Sequence, residues 1–319
     1  MKRIMILTSG GDAPGMNAAI RACVRIAIYN NLEVLGVNRG YAGLMQGDVQ
    51  ALNLRSVGDI IDRGGTVLQT SRSKEFTEEK GFAKALESIK KLAADGLVVI
   101  GGDGSFRGAE KLSKAGIRTV GIPATIDNDL EYTDSTIGYD TALNTVLTAI
   151  GNLRDTSSSH KRVSIIEVMG RHCGDIAIFS GLAGGADGIL IPELDRDMDL
   201  LCEKIVAGNE RGKQHHIIIV AEGAMSAYDC ANYINLKLNL STTVTVIGHL
   251  QRGGSPTVFD RNLAARFSYH AINTLLEGRS SRVVGLDGKE IFDMDISEAL
   301  SMTKTVDEEA VKLAEILSL

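Results

Sequence analysis

Cysteine, proline and aromatic side chains are all scarce in this chain. Its 319 residues include four cysteines and four prolines, and aromatics make up 4%. Cys23, Cys173, Cys202 and Cys230 are scattered with no C-x-x-C spacing, which argues against a disulfide framework or a zinc site and fits a reducing cytoplasm. Few prolines beside 35 glycines argue against a linker or a disordered chain. That balance points to tight strand-to-helix turns where backbone approaches a ligand. No apolar run approaches the length of a membrane span. The run at 4–7 behind Lys2 and Arg3 is too short for a signal-peptide core. A net charge of −6 disfavours nucleic acid or an acidic membrane as partner, but leaves room for a small polyanion held by a few local arginines.

Hydrophobic content is 44% and charged content 23%. At roughly 150 residues per domain, the length suggests about two soluble globular domains. What recurs along both halves is one unit: a short buried strand, a glycine-bearing polar turn, then a helix. Strands at 4–7, 97–100, 163–168 and 243–247 each deliver such a turn. The alternation predicts an α/β chain with parallel sheets, helices on both faces and ligands at the carboxyl ends of the strands.

The first turn, Thr8 to Asn17, puts bare amides and a helix N-terminus where an anion would bind. Gly10 and Gly15 have Walker spacing, but Met16 and Asn17 replace the required Lys and Ser/Thr. The second, Gly101-Gly102-Asp103-Gly104-Ser105, holds a carboxylate inside a phosphate-type loop, a natural Mg²⁺ ligand. A dinucleotide fingerprint competes poorly, since Gly108 comes one residue late. Between 117 and 129 an apolar strand runs into Pro123 and then Thr125-Ile126-Asp127-Asn128-Asp129. If the chain stays extended, Asp127 and Asp129 point to one side, where a reacting hydroxyl and a metal could meet; the plain alternative is an Asx turn.

Other stretches read more simply. Residues 38–48 read as a loop, 63–72 as a Gly-Gly turn entering a strand that ends at Arg72, 157–160 as a polar loop, and 283–284 as one short strand. Arg21 and Arg25 share a helix face, ordinarily a solvated basic one. His215 and His216 face opposite ways along a strand and cannot share a metal. Cys173 reads as a packed small hydrophobe.

Taken together, TSGGDAPGMNAAIR at 8–21, GGDGS at 101–105, TIDND at 125–129, MGRHCGD at 169–175 and GHLQRGGSP at 248–256 resemble the bacterial ATP-dependent 6-phosphofructokinase family, across nearly the whole chain and in the family's order. The resemblance implies two Rossmann-like three-layer αβα domains, 1–138 with 251–301 for ATP and 139–250 with 302–319 for sugar phosphate, and an active site in the cleft between them. It implies a cytoplasmic homotetramer in glycolysis that moves the ATP γ-phosphoryl to the 1-hydroxyl of fructose 6-phosphate.

By position, Gly11, Arg72, Ser73, Gly102, Asp103, Gly104, Ser105 and Arg107 would line the ATP site, with Asp103 on Mg²⁺. Asp127 would be the general base, Thr125 and Ile126 would lie at the hydroxyl, Asp129 would support the metal side, and Arg171 would stabilise the transferred group. Met169, Gly170, Glu222, His249, Leu250, Gln251 and Arg252 would grip the sugar phosphate, and Arg162 and position 243 would reach a neighbouring subunit's substrate. Arg21, Arg25, Arg154, Gly185, Ala186, Asp187, Arg211 and Lys213 match the family's effector site, where ADP activates and phosphoenolpyruvate inhibits.

Three residues depart from the pattern: Ala124 stands for Gly, Ser73 for a larger or thiol residue, and Thr243 for an Arg that contacts the 6-phosphate. Lys237 is the nearest candidate to replace that charge. Two alternatives stay open, a diphosphate-dependent relative and a silent sensor of nucleotide or sugar phosphate. Gly104 and Ala124 argue against the first; Asp103, Asp127 and Arg171 argue against the second.

Overall fold

A computed structural model describes residues 1–319 except Lys161, Arg196 and Leu319. Its strands are β1 (Arg3–Thr8), β2 (Glu33–Val37), β3 (Val49–Leu52), β4 (Gly96–Gly101), β5 (Thr119–Pro123), β6 (Val163–Val168), β7 (Gly188–Leu190), β8 (His216–Ala221), β9 (Thr242–Val246), β10 (Arg282–Asp287) and β11 (Glu290–Asp295). Its helices are α1 (Met16–Tyr29), α2 (Gly40–Gln46), α3 (Glu79–Lys91), α4 (Asp103–Lys114), α5 (Tyr139–His160), α6 (Asp175–Gly184), α7 (Met198–Glu210), α8 (Ala227–Leu238), α9 (Val258–Leu276), α10 (Ile296–Ser301) and α11 (Glu308–Leu317).

The chain divides into two compact units. The first comprises 1–126, 130–141 and 252–303, and the second 127–129, 142–251 and 304–319. In the first, a seven-stranded sheet runs in the order β11-β10-β5-β4-β1-β2-β3. Its inner strands are parallel, with Leu7 opposite Val99 and Val99 opposite Gly121, and every residue of β4 is buried, as expected of a sheet covered on both faces. Met5, Leu7, Val99, Leu44, Ile89 and Phe106 pack into one core. Each such side chain contributes roughly 1.5–3 kcal/mol when fully buried. The second unit holds a wholly parallel sheet in the order β7-β8-β6-β9, cored by Ile165, Ile218, Val220, Leu201, Ile205 and Ile234. Among the described residues no helix is long and apolar enough to cross a membrane.

Four local expectations fail. Residues 38–48 contain α2, a helix of seven residues too short for its periodicity to show, held by buried Tyr41, Leu44 and Met45. The segment 63–72 is not a strand, because side chains rather than a ladder satisfy its backbone. Asn17 Nδ2 donates to Arg63 O and Gly64 O while its Oδ1 accepts from Val67 N, and Thr8 donates to Gln69 O. Ser157 to His160 form the last turn of α5. The single strand at 283–284 is a hairpin, β10 antiparallel to β11 across Asp287 and Glu290. Helix α8, started by Ser226 accepting from Asp229 N, was not foreseen.

Candidate active site

Because β5, β4 and β1 are adjacent and parallel, the loops leaving their carboxyl ends lie side by side in the first unit. Ser9 N donates to Ile100 O and Ala124 N to Gly101 O, which ties the three loops together. This brings Gly11, the 102–105 turn and Thr125 to one sheet edge. A Cβ at Gly11 would lie 2.5 Å from Arg252 Nη1, so a side chain there would push the guanidinium out of its place. Arg252 in turn donates to Asp12 O at 3.0 Å. The structure thus lodges this arginine, expected on the sugar phosphate, against the β1–α1 loop. Thr70 ties the neighbouring segment to the same loop through Gly10 O.

Asp103 opens α4 with its carboxylate partly exposed and 3.2 Å from Arg107 Nε one turn on. Arg72 is exposed, and Ser73 Oγ accepts from Phe76 N. A Cβ at Gly104 would meet nothing within 4 Å, so the turn is open above it. Ser105 is buried, and its carbonyl accepts from Tyr41. Among the described residues no three His, Cys, Asp or Glu converge on a metal position. A lone accessible carboxylate at a phosphate-type loop fits Mg²⁺, which takes one or two carboxylates plus phosphate oxygens and water.

In the second unit Asp127 is 2% exposed. The premise that Asp127 and Asp129 share a side fails, because Asn128 between them has φ 50° and the left-handed turn breaks the extended alternation. Asn tolerates that conformation better than other non-glycine residues, and its amide donates to Asp175 Oδ2 at 2.9 Å. Ile126 is fully buried and offers no side chain to a ligand, while Thr125 O accepts from Thr136 Oγ1.

Arg171 reaches Asp127, Nε to Oδ2 at 3.7 Å. Its backbone is also left-handed at φ 56°, and Glu222 Oε1 accepts from its N–H at 3.1 Å. Gly170 has φ 132°, and a Cβ there would lie 2.4 Å from Cys173 O, so only glycine makes this bend. Burial first, then the Asp175 charge, push the Cys173 thiol up; it stays protonated beside Asn128 O. Gln251 is wholly buried and accepts from Met169 N at 3.2 Å, so it shapes the loop. His249 and Leu250 on the same 248–252 turn are exposed, as is Arg162.

The second unit also gathers part of the expected effector set. Arg154 donates to Gly184 O and, at 2.9 Å, to Gly185 O. Asp187 pairs with Lys213 and accepts from Ile217 N. Burial opposes the Asp187 charge, yet the His216, Lys213 and Ile217 contacts together hold its carboxyl below the usual range. Burial first, then Arg154, lower His215. Ala186 is buried and Arg211 is exposed at the end of α7. Arg21 and Arg25 belong to α1 of the first unit, where Arg25 is exposed and Arg21 half-buried.

Asn17, Asn128 and Asp175 lie inside the motifs at 8–21, 125–129 and 169–175, but the motifs do not disclose the contacts that these side chains make. For Asn128 a signal existed: Asn between two Asp favours a left-handed turn.

The profile of the Phosphofructokinase family matches residues 3–275. Over 319 residues, all of both chains, this chain is 56% identical to the ATP-dependent 6-phosphofructokinase of Alkaliphilus metalliredigens. It is 55% identical over 318 residues, again the whole of both, to the enzyme of that name from Clostridium botulinum. The structure of phosphofructokinase from Saccharomyces cerevisiae superposes with a TM-score of 0.89 at 34% identity, covering 100% of this chain and 48% of that one, so the chain spans about half that length. With a family profile over most of its length and full-length relatives above half identity, the chain belongs to the phosphofructokinase family.

Proposed function

We infer that this chain is an ATP-dependent 6-phosphofructokinase, transferring the γ-phosphoryl of ATP to the 1-hydroxyl of fructose 6-phosphate to give fructose 1,6-bisphosphate and ADP. The observation that carries the reading is a buried carboxylate, Asp127, facing the exposed guanidinium of Arg171, on a chain whose full-length relatives carry that name. Asp127 accepts the proton of the 1-hydroxyl as its oxygen bonds to the γ-phosphorus, and the bond to ADP breaks. Arg171 follows the charge spread over the transferring oxygens. Thr125 orients the hydroxyl, and Asp129 supports the metal side.

The first unit's amides at Gly11 and Gly102 to Gly104, with Arg72 and Arg107, hold the nucleotide phosphates. Mg²⁺ supplies charge neutralisation on those phosphates when bound, with Asp103 as the residue that would hold it. Met169, Gly170, Glu222, His249 and Arg162 bind the sugar phosphate. Arg252 belongs to this set only if it leaves Asp12, so its first role is to shape the β1–α1 loop. The protein works in the cytoplasm as a homotetramer, with ADP and phosphoenolpyruvate acting at Arg21, Arg25, Arg154, Arg211 and Lys213.

The open space over Gly104 leaves room for the α-phosphate of a nucleotide. A coupled assay of fructose 6-phosphate with Mg²⁺ and either ATP or diphosphate decides the donor. Turnover is expected with ATP alone, and robust activity with diphosphate would overturn the assignment.

A further inference from the structure

The segment 169–175 grips the turn bearing Asp127 at two points. Arg171 faces the carboxylate itself. Four residues later Asp175, only 4% exposed, accepts the side-chain amide of Asn128 at 2.9 Å. The same oxygen, Oδ2, lies 3.3 Å from Lys304 Nζ, which the segment after α10 brings in. Asp175 stands in the first turn of α6, where the helix dipole favours a negative charge. The residue before it is pinned as well, since Gly174 N donates to Glu193 Oε1 at 2.7 Å. A buried carboxylate with this much support is a fixed post.

Asn128 needs such a post. Its φ of 50° is open to asparagine at a cost that most other residues pay more heavily, and that turn sets where Asp127 points. Loss of the anchor would leave Asp127 in place chemically and let its carboxylate wander. Displacement by about 1 Å at a reacting group is enough to slow transfer on the order of a hundredfold.

We propose that Asp175, neutralised by Lys304, is a positioning residue that holds the Asn128 turn and thereby aims the Asp127 base. The proposal rests on the kinase reading above for its kinetic consequence, but the anchoring stands on geometry alone.

Two variants probe it. Asp175→Ala removes the post; Asn128→Gly keeps the left-handed backbone at no steric cost and removes only the amide, so it tests the same link without burying an unpaired Lys304. Each is expected to lower kcat about 10- to 100-fold while KM for ATP stays put. The double variant is expected to cost no more than the worse single one, as for two ends of one contact. Asp175→Asn combined with Lys304→Met keeps an acceptor for the amide in a neutral pair and is expected to recover most of the lost kcat. Amide hydrogen exchange over 126–130 is expected to quicken in both single variants, with protection of β6 and β8 unchanged. Wild-type kcat in Asn128→Gly, multiplicative losses in the double variant, or unaltered exchange at 126–130 would each overturn the proposal. Absence of phosphoryl transfer by the wild-type chain would instead defeat the kinase reading, and the exchange measurement would still decide the anchor.

Discussion

Arg171 Nε stands 3.7 Å from Asp127 Oδ2, and the two side chains differ sharply in exposure, 53% against 3%. That separation exceeds hydrogen-bond length. The carboxylate is therefore enclosed and the guanidinium open to solvent, an arrangement that suits the proposed roles, Arg171 on the transferring phosphoryl group and Asp127 on the hydroxyl.

That division of labour predicts a clean loss in Asp127→Asn. An amide cannot take the proton, so kcat should fall by about 10²–10⁴-fold, the usual contribution of a general base, with nucleotide binding nearly intact. Steady-state kinetics checks this. A variant retaining more than about a tenth of wild-type turnover would show that Asp127 is not the base.

Regulation is open to a separate test. Lys213 is already paired with Asp187 and Arg154 with carbonyls of 184 and 185, whereas Arg211 is exposed. Of the second unit's three expected effector cations, Arg211 is thus the one best placed to answer an incoming polyanion. Arg211→Ala should abolish the response to ADP or phosphoenolpyruvate and spare the maximal rate, a coupling typically of about 1–3 kcal/mol. An unchanged response in initial-rate titrations would remove Arg211 from the effector site.

Acid stability should show two opposed limbs. Asp260, buried in α9, accepts from Gly138 N, Thr141 N and Thr141 Oγ1, yet burial outweighs these bonds and raises its pKa from 3.8 to about 6. The folded state then binds more protons than the unfolded one between those values, so stability from this group falls as pH rises through about 4 to 6, by about 3 kcal/mol in all. Asp293 is the reverse case. Burial opposes its charge, but His270, Arg279 and Arg282 bring its pKa to about 2, so its stabilisation is present above 3.8 and is lost as pH falls through 2. Denaturant unfolding across this range should show Asp260→Asn flattening the upper window and Asp293→Asn the lower. Variant curves parallel to wild type would contradict both assignments.

Much of the architecture is legible where a local pattern suffices. Strand β5 ends at Pro123, the residue that marks its end in the sequence, and the glycine turns at 10–15 and 101–104 follow buried strands as read. What is illegible depends on partners far along the chain. The 63–72 segment resembles a strand, and only the folded chain places the Asn17 amide where a ladder would be. The Asn128 turn depends on Asp175, 47 positions away. The hairpin of β10 and β11 is a different failure, since its two-residue loop, Gly288-Lys289, opens with glycine at positive φ, a readable hairpin signal. For Arg252 the motif gives the residue type but not its contact in the folded chain, where the guanidinium donates to the Asp12 carbonyl.

Thr243 carries the last test. It lies in β9, opposite Ser164 of β6, and β9 ends the second unit's sheet with only β6 beside it. Lys237 Nζ is paired with Asp199 at 2.9 Å in an exposed ion pair, which it would have to leave to stand in for the missing charge. Threonine donates one neutral hydrogen bond, so in the proposed sugar-phosphate site the 6-phosphate would forgo a charge-assisted contact worth roughly 1.5–3 kcal/mol. Thr243→Arg should therefore lower KM for fructose 6-phosphate about ten- to a hundredfold. KM for ATP should stay unchanged, since the added charge would act on the sugar phosphate alone. In the proposed tetramer the contact crosses a subunit boundary, so substrate cooperativity should rise with it, as ligand binding then favours one quaternary state more strongly. An unaltered sugar KM would mean that another cation already serves the 6-phosphate, with Lys237 the first candidate, and Lys237→Ala and Arg162→Ala in the same assay would show which.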